Sequence, residues 1–323
     1  MKVIFIMSLL FSVVMPSGAQ DLFPQIVNAL PAGTWEEYRA LNAAETRYAE
    51  YKDDDRLLAV KLYQLAYINK SREKHGVPPV KLDILASRVA NRMAREGCAA
   101  GFSGHWNTRG EKPYQRYALA GGTDHVSENA ASRWSSAAMA VSLENYRSFM
   151  AASHDEFMAE VAPNDGHKQN VIAKEHNYVG LGACIEGKQF RYYEEYVDRY
   201  MECDPLPATV AAGDSLAVRV KPLAPSAVVY AVVVFWEPLP TPMTASDINS
   251  RHSYPDYTDA TVASIWPWEL AKGESSGSWS FPLAFPKKGS YYVHVYLDDK
   301  PYKGGSADTR GKTQASGIVI FVR

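Results

Sequence analysis

A chain of 323 residues, 46% hydrophobic and 22% charged, is too long for one small core and predicts two domains. Its formal net charge of −2 excludes whole-molecule attraction to nucleic acid or to an anionic membrane surface. No stretch approaches the roughly 20 apolar residues that a spanning helix needs.

The first residues, "MKVIFIMSLLFSVVMPSGAQ", combine a positive Lys2, an uncharged apolar run from Val3 to Met15, and small residues Ser17 and Ala19 ahead of a cut before Gln20. This is the pattern of a secretory signal peptide over residues 1–19, and the run is too short for a membrane span. The expected product is secreted or periplasmic, without a transmembrane segment. Residues 20–55 are mixed and end in "YKDDDR"; they read as a leader packed on the domain or as a partly ordered arm.

From Arg56 the pattern is helical. Leu58, Leu62, Leu65 and Ile68 recur at helical spacing, and Gly76 ends the run. "VPPV" forces an extended link. A second helix, "KLDILASRVANRMAREGC", sets Leu85, Val89 and Met93 on one stripe. Ser103 to Ala131 reads as a long loop whose Trp106, Tyr114 and Tyr117 argue against simple disorder. A helix follows from about Ser136 to Val161, then a short turn at "GHKQNVI". "NYVGLGACIEGKQFRYYEEYVDRY" reads as two strands across Gly187, the Tyr-rich one with one packed and one solvated face.

After "CDPLP" helical periodicity disappears. "SLAVRVKP", "AVVYAVVVFW", "GSWSFPLA", "GSYYVHVYLDD" and "SGIVIFVR" are strand candidates separated by turn signals, the pattern of a small antiparallel sandwich over residues 205–323. Trp236, Trp266 and Trp268 read as core anchors there, with a carbohydrate-stacking surface as the alternative. Export permits a disulfide, and three cysteines leave one thiol over. Cys184 and Cys203 flank the hairpin and are paired on that ground, which leaves Cys98 as a small buried residue. With no C-x-x-C spacing a cysteine zinc site is not indicated.

Four polar residues sit just outside the predicted helices. His105 opens the long loop, Glu128 in "SENAA" closes it, Glu160 ends a helix, and His167 follows an Asn-Asp-Gly turn. Two imidazoles converging on one cleft are zinc-ligand chemistry, with the carboxylates placed to hold a metal-bound water. Spacing alone does not separate this from structural hydrogen bonding.

The ordered set "NKSREKHGVPPVKLD", "ASRVANRMA", "SGHWNTRGEKPYQRYALAG", "SENAA", "GHKQNVI" and "HNYVGLGACIEG" resembles a bacterial CAP-superfamily domain (cysteine-rich secretory, antigen-5 and pathogenesis-related proteins), here spanning residues 56–204. The resemblance implies an α+β chain: a CAP-type α/β/α sandwich with a small antiparallel sheet, followed by an all-β, immunoglobulin-like sandwich. It also implies a His/Glu/Glu/His tetrad in a surface cleft. His105, Glu128 (with Ser127 in place of the motif's Gly) and His167 match by position. Glu160 matches by its spacing from Phe157, with Glu156 and Glu144 as alternatives. On this basis His105 and His167 are the candidate zinc ligands, and Glu128 and Glu160 the candidate catalytic carboxylates.

Asn129 is expected to satisfy loop backbone groups. Asn107, Arg109 and Tyr114 read equally as cleft lining or as residues fixing the loop, and His125 as a loop histidine or a fifth site residue. Three functions follow. The first is an exported binding protein for a small apolar or glycan ligand, attached to a cell-surface partner through its C-terminal domain. The second is a zinc-dependent, peptidase-like hydrolase, against which stand the two-histidine ligand set and the lack of an H-E-x-x-H helix. The third, a serine triad on Ser127, lacks a G-x-S-x-G elbow.

Overall fold

The computed structural model describes residues 21–251, 253–254, 260–272 and 277–323; the expected signal peptide, residues 1–19, lies outside them. The segment read as a leader forms two helices, α1 (Leu22–Ala29) and α2 (Thr34–Ala44), which bury Ile26 and Tyr38. Helix α3 (Asp55–Lys74) begins where Asp54 accepts the Leu57 N–H at 2.7 Å, and its Leu58, Leu62, Leu65 and Ile68 stripe is buried. Strand β1 (Lys81–Leu82) precedes α4 (Ile84–Ala100), which Asp83 caps through the Ala86 N–H at 2.6 Å and Gly101 ends at φ +74°.

The stretch read as a long loop is only partly one. It contains α5 (Pro113–Leu119), started by proline at its first position, and then β2 (His125–Trp134). Glu128 therefore sits inside a strand and does not close a loop. Helix α6 (Leu143–Met158) is shorter than expected because Ser142 caps it, accepting the Asn145 N–H. Helix α7 (Gly166–Ile172), β3 (Tyr178–Glu186) and β4 (Gln189–Asp198) complete the first unit.

The first sheet runs β1-β3-β4-β2, with β1–β3 parallel and the other pairs antiparallel. Helices α1, α3, α6 and α7 share a core with one face, and α4 packs on the other. The "VGLG" glycines make that second packing possible. A Cβ at Gly180 would stand 2.4 Å from Ala86, and one at Gly182 2.1 Å from Ala90, so only glycine lets α4 lie directly on β3. Both faces of β4 are consequently covered, and its Tyr-rich run is buried from Phe190 to Asp198. The solvated face expected of it does not exist.

Strand β5 (Met201–Cys203) already pairs with β7 (Ser215–Pro222), a few residues ahead of the expected division at 204/205. The remaining elements are β6 (Thr209–Val210), β8 (Val228–Glu237), α8 (Ala245–Asn249), β9 (Thr261–Ile265), β10 (Ala271–Lys272), β11 (Trp279–Ala284), β12 (Gly289–Asp298), β13 (Thr313–Gln314) and β14 (Ile318–Val322). They form two sheets, β10-β11-β7-β5 and β6-β14-β12-β8-β9, with β13 on β12 and a parallel β6–β14 pair. Tyr291, Val293 and Val295 of β12 face the core between the sheets. Tyr292 and Tyr296, on the opposite face of the same strand, join a second core with Tyr114, Tyr117 and Ala118 of α5. Alternation along one strand thus builds the sandwich and fastens it to the first unit.

All three cysteines are free thiols, so the Cys184–Cys203 pairing is corrected. Cys184 lies in β3 and packs with Cys98 of α4, whereas Cys203 belongs to the second unit's sheet. Trp236 and Trp266 are half-buried, but Trp268 is 58% exposed and anchors no core. Among the described residues no helix is long and apolar enough to cross a membrane.

Candidate functional site

The four residues singled out by the motifs form two pairs at the edge of β2. The loop after α4 carries His105, whose Nδ1 lies 2.8 Å from Oε1 of Glu128. Beyond α6, Glu160 lies 2.5 Å from Nδ1 of His167 and also accepts the backbone N–H groups of His167 (2.9 Å) and Lys168 (3.4 Å). The Glu160 carboxylate therefore both caps the start of α7 and orients the imidazole on it. The alternatives go elsewhere: Glu156 pairs with Arg133 and Glu144 with Arg147, both at the surface. The two imidazole centroids are 6.4 Å apart.

Each imidazole also meets an aromatic ring. Phe157 of α6 stacks on His167 at 4.7 Å and 29°. His105 meets Tyr254, from the C-terminal region, at 4.7 Å and 55°. The Tyr254 hydroxyl oxygen accepts the backbone N–H of Glu128 at 3.0 Å.

Beneath His105 lies a buried charge cluster. Arg116 of α5, 1% exposed, donates to Glu128, to Glu195 at 3.4 Å, and to the carbonyls of His105 (2.6 Å) and Glu111 (3.2 Å). Glu195 faces Glu128 across the β2–β4 ladder. Burial and the neighbouring Glu128 push its pKa well above the usual carboxylate range; burial raises that of Glu128 as well, with Arg116 opposing the rise. Burial, with Arg116 adding to it, pushes His105 down to about 4. The neutral imidazole then donates from Nδ1 to Glu128 and keeps a lone pair on Nε2, the state a metal ligand requires.

A second polar chain lies alongside. Asn129 donates to the His167 carbonyl at 3.0 Å and accepts from Asn170 at 3.0 Å, tying β2 to α7 and not merely its own backbone. Ser127 donates to Asn170 Oδ1 at 2.6 Å, with His176 Nε2 3.4 Å from Ser127 and 3.0 Å from the same Asn170 oxygen. Asp198 contacts Nδ1 of both His176 (2.6 Å) and His125 (2.8 Å). Burial opposes its ionisation, but these two histidines hold its carboxyl down to about 2.

Ser127, His176 and Asp198 have the residue types of a triad without its proton route. The serine hydroxyl donates to Asn170 at 2.6 Å, and His176 Nε2 lies closer to that Asn170 oxygen (3.0 Å) than to the hydroxyl (3.4 Å), so the hydroxyl is turned to the amide and not to the imidazole. His125 belongs to this group and does not reach the His105–His167 pair. Asn107 and Arg109 clamp the loop around Glu111, and Tyr114 packs between Tyr292 and Tyr254.

Among the described residues no three His, Cys, Asp or Glu side chains are grouped to hold a metal. The donor set at the cleft is two imidazoles, each backed by a carboxylate. That fits a weakly held divalent ion with open positions, and it falls short of the three protein ligands usual at catalytic zinc. Arg116, Glu195 and Tyr254 were not singled out by the motifs. A buried arginine on a short helix and a glutamate in a Tyr-Glu-Glu-Tyr run look solvated on paper, and nothing local links Tyr254 to His105.

The family model for the cysteine-rich secretory protein family (CAP) matches residues 65–197. No curated protein matches the chain. Among solved structures, an extracellular protein containing an SCP domain from Bacillus anthracis is 17% identical with a TM-score of 0.32; the match covers 41% of this chain and 38% of the Bacillus chain. An outer surface protein from Borrelia burgdorferi is 15% identical with a TM-score of 0.34, over 43% of this chain and 92% of that one. Residues 65–197 of the chain thus match the cysteine-rich secretory protein family (CAP), and a β-rich C-terminal region follows them.

Proposed function

We propose that this is an exported, secreted or periplasmic, ligand-binding protein. Its cleft presents His105 and His167 to a small apolar or glycan ligand and takes up a divalent ion such as zinc weakly. The observation that carries this reading is the engagement of both carboxylates. Glu128 is held by Arg116 and His105, and Glu160 by His167 and two backbone N–H groups. Each works as an orienter of an imidazole, which supports a binding site over a zinc hydrolase needing one of them as general base. When bound, the ion would supply positive charge and open coordination positions, and His105 and His167 would hold it through Nε2. The sandwich would attach the cleft to a cell-surface partner.

Calorimetric zinc titration of residues 20–323, beside the His105→Ala/His167→Ala double variant, tests this. The expected result is a dissociation constant on the order of 1–100 μM that the double variant loses. Nanomolar binding together with peptidase or esterase turnover abolished by Glu160→Gln would replace the binding reading with the hydrolase one. No heat in either protein removes the metal.

A further inference from the structure

Between β8 and β9, residues 241–251 and Tyr254 lie against the loop that carries His105 and its cleft. Their contacts form a series. The Met243 N–H donates to the Thr108 carbonyl at 2.9 Å. Ile248 of α8 is completely buried in the core that holds Met93, Cys98 and Phe102. Asn249 accepts the Ser103 N–H at 2.9 Å, and the Arg251 guanidinium lies 4.6 Å from the centre of the Trp106 ring. The series ends at Tyr254, against His105 and on the Glu128 N–H.

The CAP side is shaped to receive it. Gly110 has φ +73°, and a Cβ there would stand 2.1 Å from the Thr241 carbonyl oxygen. Residues 241–251 thus touch the loop that carries His105 at several points, which is more than a single side-chain contact.

We infer that the C-terminal region completes the cleft, with Tyr254 as the residue that positions His105 and governs access to it. The two histidines have parallel surroundings: each has a carboxylate on Nδ1 and an aromatic ring against it, stacked at 29° for His167 and tilted at 55° for His105. For His167 the ring is Phe157 of the CAP domain, and for His105 it is Tyr254 of the following region. The CAP domain by itself has an incomplete site. A ligand reaching His105 must contact the phenol or displace it, so the selectivity of the cleft is set by two units of the chain. The exposures agree, because the His167 side chain is 34% exposed and that of His105 only 11%.

The functional meaning rests on the cleft being a binding site, but the test does not. Histidine acylation by diethyl pyrocarbonate is read residue by residue by mass spectrometry on the full mature chain, without metal. In the wild type His167 is expected to react fast and His105 slowly. Tyr254→Ala should raise the His105 rate by about tenfold, the scale of removing a local cover, and leave His167 and the fully buried His154 unchanged. A His105 rate equal to wild type overturns the inference. Should His154 accelerate as well, Tyr254→Leu decides, since it keeps apolar bulk beside Tyr114 and removes the ring that covers His105. A rise confined to His105 in that variant supports the inference, and no rise overturns it. An empty zinc titration leaves this result standing, and unchanged acylation leaves the zinc reading standing.

Discussion

Arg116 faces two carboxylates with one positive charge, and the three groups are all within the protein interior. The balance closes if Glu195, pushed well above the usual range by burial and by Glu128, holds the proton and Glu128, in closer contact with Arg116, does not. Two isosteric substitutions should therefore differ. Glu195→Gln keeps the shape and the neutrality, and should change unfolding free energy by less than about 1 kcal/mol. Glu128→Gln leaves a buried guanidinium without its ionised partner and should cost about 3 kcal/mol or more. Denaturant unfolding of both variants decides; equal losses would mean that the proton is not where the cluster places it. At this scale the motifs brought His105, Glu128, Glu160 and His167 to one edge of β2. They left out Arg116 and Glu195 because burial, and not residue type, gives those two their role.

The strongly periodic elements were readable in advance. The stripe on α3 and the strands β7, β8, β11, β12 and β14 lie where apolar spacing put them. Strand β2 did not announce itself, because "HVSENAAS" has no apolar alternation. Its Glu128 and Asn129 are buried, and His125, Ser127 and Glu128 bond to Asp198, Asn170 and Arg116, so the usual apolar sign of burial is missing. The same inversion hid β4. Glu194 is fully buried in it, and although burial alone would raise its pKa, His154 together with the Tyr196 and Tyr192 hydroxyls holds it below the ordinary range. An acidic pair between tyrosines resembles a wet face until α4 and the opposite helices cover both sides.

For the molecule as a whole, the two units share a core in which α5 meets the outer face of β12. His294 lies on that face, 4% exposed, its ring 5.2 Å from Phe235. Burial, with a smaller contribution from His125, pushes its pKa down to about 3. An unfolded histidine titrates near 6.5, so the unfolded chain takes up the proton first. Stability is then complete above about pH 6.5 and falls toward pH 3, by up to about 1.4 kcal/mol per pH unit. Thermal unfolding across that window should show an acid loss that His294→Gln flattens; superimposable curves would remove His294 as the cause. The central claim, that each carboxylate turns an imidazole so that Nε2 serves the ligand, is tested most directly at His105. A long-range proton–nitrogen correlation spectrum near neutral pH should show its Nδ1 protonated and its Nε2 bare. A proton on Nε2 instead, or on both nitrogens, would contradict the account.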